Sequence, residues 1–82
     1  LPDQLIFPYR VRMQVAGFPP NVRDAANALI MSLLNDPVPP EAKPYVDSPD
    51  HGSYAISDDH ATVYYSLVGA GTIVISLVHP NT

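Results

Sequence analysis

The stretch from Gly52 to His79 most constrains what this chain can fold into. Tyr54 and Ile56 alternate with Ser53 and Ser57, and Asp58-Asp59-His60 then makes a polar break. Ala61 to Val68 runs on, Gly69-Ala70-Gly71 breaks again, and Thr72 to His79 closes the run. β-branched and aromatic residues in short runs, separated by turn-forming residues, are the signature of an antiparallel meander. Val63, Tyr65 and Leu67 should point one way, with Thr62, Tyr64, Ser66 and Val68 on the other face. By the same alternation Ile73, Ile75, Leu77 and His79 oppose Val74, Ser76 and Val78. The last run is apolar on both faces, so it should be a central strand covered on both sides.

The first half carries different signals. Leu1 to Phe7 reads as a lead-in, with Pro2 and Pro8 interrupting any central-strand pairing. Tyr9, Val11, Met13 and Val15 alternate with Arg10, Arg12 and Gln14, which predicts a half-buried strand over Tyr9 to Ala16. Gly17-Phe18-Pro19-Pro20 ends it. Asn21 reads as an N-cap, with Asp24 near the free N–H groups of a first turn. Val22, Ala25, Ala26, Leu29, Ile30, Leu33 and Leu34 then follow helical spacing. Asn35-Asp36-Pro37 should end the helix, because a residue before proline avoids the helical region. Pro37 to His51 holds five prolines and reads as an ordered, irregular connection. A PxxP ligand competes with a loop merely stiffened by proline, and short motifs of this kind often match by chance. The sum is an α+β class: an N-terminal strand, one main helix, and a three-strand meander packed against it.

Eighty-two residues allow one small domain, residues 1–82, with one core. Such a domain buries only ~60% of its unfolded surface, so a partner would add needed stability. Without cysteine there is neither a disulfide framework nor a Cys-based zinc site. No apolar stretch approaches the ~20 residues of a membrane span. Leu1 in place of methionine fits a processed product or a piece of a longer chain. Four Lys and Arg against eight Asp and Glu give a formal net charge of −4. Binding to nucleic acid draws on cations that displace counterions from phosphates, so extensive autonomous binding is not expected.

The order of elements, together with Gly52-Ser53-Tyr54-Ala55-Ile56, Asp59-His60-Ala61-Thr62-Val63-Tyr64 and Leu77-Val78-His79, resembles the RelE/ParE toxin superfamily. These are the small toxins of bacterial type II toxin–antitoxin systems, and the resemblance spans Tyr9 to about Asn81. It implies a cytoplasmic bacterial protein with a cognate antitoxin as partner, and mRNA on the ribosome or gyrase as target. No membrane and no cofactor is implied. Ala55 and Ala61 stand where the family usually has arginines, and Pro80-Asn81 where a terminal arginine is usual. In the nucleases of the family such cations stabilise charge developing on phosphate, and each lost donor of this kind costs ~3–4 kcal/mol. The expectation is therefore a toxin fold that acts by binding protein. A divergent ribosome-dependent endoribonuclease is the alternative.

Candidate chemical residues are few. His51, His60 and His79 are the histidines, and His79 and His60, assisted by Tyr64 or Tyr65, could serve as acid–base groups. Equally, His60 lies in a turn and His79 at a strand end, where polar residues commonly meet solvent. Arg10 and Arg12 form the one local cationic pair, able to hold a carboxylate or a phosphate. For the endoribonuclease alternative, Arg10, Arg12 and Arg23 would have to converge near His79. A metal site could be drawn from Asp47, Asp50, His51, Asp58, Asp59 and His60. Adjacent residues do not easily face one ion and no established metal motif is present, so solvated turns are the expectation there.

Overall fold

A computed structural model describes residues 4–44, 52–69 and 71–81. The order is β1 (Gln4–Ile6), α1 (Tyr9–Ala16), α2 (Pro20–Leu33), β2 (Lys43–Pro44), β3 (Ser53–Ser57), β4 (Ala61–Val68) and β5 (Thr72–Pro80). The strands form one sheet in the order β1-β5-β4-β3-β2, antiparallel except that β1 runs parallel to β5. The class is α+β, and the three-strand meander lies where its alternation put it. Gly52 and Gly69 adopt left-handed backbone at φ 63° and 65°, which glycine alone adopts freely, and each sits at a strand-end turn. At Gly52 a side chain would also press on the Leu67 carbonyl, at 3.3 Å.

The N-terminal strand exists, but not at Tyr9–Ala16. That segment is helix α1, and the strand is Gln4–Ile6 at the sheet edge. The alternation misleads because Val11 and Val15 are also four residues apart. In α1 these two turn toward the core, while Tyr9 and Met13 are 69% and 52% exposed. Arg, Met, Gln and Ala are good helix formers. Pro8, whose carbonyl accepts the first helical bond from Arg12 N–H at 2.9 Å, and Gly17 delimit the helix. A chain expected to have one main helix thus has a helical hairpin.

Helix α2 follows its expected face, burying Val22, Ala26, Ile30 and Leu33. It starts one residue before Asn21: Pro20 occupies the first turn, Pro19 precedes it, and no side chain caps the helix. Proline serves there because its missing N–H would have had no helical partner. Beyond the helix, Asp36 Oδ1 accepts from Val38 N–H at 3.3 Å and the Pro39 carbonyl accepts from Ala42 N–H at 2.9 Å. Pro39 is buried and packs, while Pro37 and Pro40, the two prolines at PxxP spacing, are half-buried and exposed. Pro49 of the same stretch lies outside the described residues.

Helix α1 packs on β5 and α2 on β4, over a core of Val63, Tyr65, Ile73, Ile75 and Val78 together with the helix residues. β5 is central, as its composition predicts, but only one of its faces is covered. Its phase also departs from simple alternation. Tyr64 pairs with Leu77 and Tyr65 with Ile75, so Ser76 is an extra, bulged residue. The bulge keeps Ile73, Ile75 and Val78 on the helix side and turns Leu77 and His79 to the open face. Deleting Ser76 would leave every other β4–β5 pair intact. The ΔSer76 chain is expected to fold with a melting temperature within a few degrees of wild type, measured by circular dichroism. Deleting Val74, which would flip Ile73 outward, should abolish the cooperative transition.

Candidate functional site

The open face of the meander is the chemically richest surface. In register it carries Ser57, Thr62, Tyr64, Ser66, Leu77 and His79, with Thr62 opposite His79 and Tyr64 opposite Leu77. At one end lies a tied corner. Asp58 Oδ1 accepts from the backbone N–H of His60 at 2.7 Å and of Ala61 at 2.9 Å, an Asx-type turn. Asn81 closes it: its N–H donates to the His60 carbonyl at 2.8 Å and its Nδ2 to the Asp58 carbonyl at 2.9 Å. Thr62 Oγ1 donates to Asn81 Oδ1 at 2.9 Å. The turn carrying His60 and the strand end carrying His79 are thus held together, with Tyr64 two residues along the same face. Asp58 was readable as an Asx turn from its position two residues before His60. Asn81 had no sequence signal, since its partners lie 19 and 23 residues away.

The arginines are elsewhere. Arg10 and Arg12 lie on α1 and Arg23 on α2, in the layer on the opposite side of the sheet from His79. A helix turns ~100° per residue, so Arg10 and Arg12 diverge by ~200° and do not form one patch. Lys43, the remaining cation, is on the short edge strand β2, where it pairs with Ala55 and so stands on the open face, in the row of Ala55, Tyr64 and Leu77. Strands β3, β4 and β5 therefore carry neither lysine nor arginine. Arg12 instead meets Arg23 across the helical hairpin, where the two border a groove of about 280 Å³ with Phe7, Val15, Ala16 and Asn27. Sequence reading missed this pairing because it needs Tyr9–Ala16 to be a helix.

Tyr65, the other tyrosine considered for chemistry, faces the core at 1% exposure. Its ring stacks on Tyr54, centroids 5.8 Å apart, and its hydroxyl donates to the Pro37 carbonyl at 2.6 Å. Burial, then the neighbouring Tyr54 and Asp36, push its pKa from 10.0 up to about 12. Its role is to tie the proline-rich connection to the sheet. Asp47, Asp50 and His51 of the drawn metal site lie outside the described residues. Among the described residues, no group of three or more His, Asp or Glu could hold a metal ion.

The helical hairpin and the antiparallel meander closed by the parallel edge strand β1 make a fold found in a solved toxin–antitoxin complex. The particular likeness is to a chain in the crystal structure of the toxin–antitoxin complex RelBE2 from Mycobacterium tuberculosis. The TM-score is 0.78 at 20% sequence identity, over 98% of this chain and 99% of that one. No family model matches the sequence, and no curated protein matches it. At this identity the likeness carries the fold and leaves the chemistry to the residues present.

Tyr65 gives a pH test. Its folded pKa is raised, so the folded state favours the neutral phenol. That contribution is complete below pH 10 and is lost as pH rises through about 12. Urea titrations should show wild-type stability falling over that interval more steeply than in Tyr65→Phe. At neutral pH the substitution should cost about 1 kcal/mol through the lost hydrogen bond.

Proposed function

We propose that this chain is the toxin-like component of a type II toxin–antitoxin pair and acts by binding protein. A cognate antitoxin is its first partner, with a helical segment docking in a groove beside the sheet. The observation that carries the reading is the separation of the arginines from the open face in a RelE-like fold. His79 and Tyr64 share one side of the sheet, and Arg10, Arg12 and Arg23 belong to the helices on the other. A phosphodiester attacked at the open face would develop negative charge with no arginine on that face and only Lys43, at the far edge on β2, to meet it. The net charge of −4 also works against RNA binding. The neighbouring fold was solved in a toxin–antitoxin complex, and a chain this small gains stability from a bound partner.

The second reading, a divergent ribosome-dependent endoribonuclease, draws on one observation: the corner that gathers His60, Thr62, His79 and Asn81. Histidines there could exchange protons with a ribose hydroxyl, while the ribosome supplied the missing charge. Gyrase is the target if the protein-binding reading extends beyond the antitoxin. Both readings set the chain in the cytoplasm of a bacterium with no membrane partner. No described helix is long and apolar enough to cross a membrane.

Induced expression in bacteria, with and without the product of the adjacent gene, tests the proposal. Growth should arrest with the chain alone and recover when the neighbour is co-expressed and co-purifies with it. Normal growth with abundant soluble protein would remove the toxin reading.

A further inference from the structure

The helical hairpin holds a second surface that the open-face chemistry does not use. Phe7, Val15 and Ala16 give the groove an apolar lining, and Arg12, Arg23 and Asn27 complete it. Half of the chain's four cations thus converge on one groove, although the molecule as a whole is acidic. The Arg12 guanidinium lies 5.8 Å from the centroid of the Tyr9 ring, which extends the surface along α1. Met13, 52% exposed and four residues from Tyr9, continues the same stripe. Arg23 meets only an exposed Asp24, Nε to Oδ1 at 3.6 Å, a contact weak enough to yield to a better partner.

We infer that this groove binds an acidic, apolar-anchored peptide segment of a protein partner. One aliphatic or aromatic side chain would seat against Phe7, Val15 and Ala16, and flanking carboxylates would be held by Arg12 and Arg23. The inference deepens the protein-binding reading above and rests on it. Charge complementarity selects the occupant. Guanidinium forks match carboxylates in pairs, and a desolvated apolar anchor beside them is how small interfaces concentrate affinity. A nucleic-acid strand is a poorer match. It offers no side chain for the apolar lining, two arginines would displace only ~2 counterions, and Asp24 stands beside one of them. A volume of about 280 Å³ suits one large side chain with its neighbours and falls just below the ~300–1,000 Å³ of small-molecule sites.

The probe is a synthetic 14-residue amphipathic peptide with Leu and Glu at helical spacing, added to the full ¹⁵N-labelled chain and followed by NMR. A control peptide carries Gln for every Glu, and an eight-nucleotide single-stranded RNA is the second ligand. The acidic peptide should shift the amides of Phe7, Arg12, Val15, Ala16, Arg23 and Asn27, and the Gln peptide should bind at least tenfold more weakly. Arg12→Gln with Arg23→Gln should weaken the acidic peptide at least tenfold, while Met31→Ala, on an exposed part of α2 outside the groove, should not. Equal binding of the Gln peptide, shifts elsewhere or nowhere, or RNA in the groove in place of peptide would each overturn the inference. The protein-binding reading is judged separately by co-purification with the adjacent gene product. A complex that forms equally well with the double arginine variant would sink the groove and leave that reading standing. Failure of the complex with peptide binding intact would do the reverse.

Discussion

The extra residue Ser76 in β5 sets which side chains the sheet gives to its core and which to its surface. With it, Ile73, Ile75 and Val78 all face the helices, each at 0% exposure. In unbroken pairing from Ile75 onward, Leu77 and His79 would point into the helical layer and Val78 away from it. A charged or hydrogen-bonding ring in that core would need a partner, and the described core holds no buried polar or charged residue. The face that carries His79, and its distance in the fold from the arginines, both follow from this one irregularity.

Much of the architecture was legible because the meander and α2 each show a single period. Val22, Ala26, Ile30 and Leu33 fit only a helix, and Ala61 to Val68 fits only a strand with one buried face. Tyr9–Ala16 fits both. Eight residues with apolar side chains every two positions and valines four apart cannot choose by pattern, and docking on β5 decides it. The bulge left no mark in the sequence, because Ser76 and Leu77 are ordinary in an alternating strand. The grouping of His60, His79 and Tyr64 could be drawn from turn and strand positions. The meeting of Arg12 with Arg23 could not, because it depends on the misread helix. Asn81 became visible only when the sheet register brought it to Asp58 and Thr62.

Two surfaces result, with different chemistries on opposite sides of one sheet. The open face has hydroxyls, the His79 imidazole and exposed Leu77 and Val68, with no cation on its three long strands and Lys43 at its edge. The hairpin side has the arginines around an apolar groove. Preorganised positive charge dominates phosphoryl chemistry, and here the arginines are absent from the open face, which has Lys43 alone, paired with Ala55 and separated from His79 by β3 and β4. The proposed protein-binding role rests on that division, within a fold shared with a chain of a toxin–antitoxin complex. Tyr65 ties the proline-rich connection to the helix side of the sheet, its ring in the core and its hydroxyl on the Pro37 carbonyl.

The most direct test of that division is a cell-free translation reaction containing the purified chain, with mRNA 5′ ends mapped on ribosomes. The account predicts no new ends when the chain is equimolar with ribosomes. Codon-positioned cuts that disappear with His79→Ala would contradict it and make the open face a nuclease site.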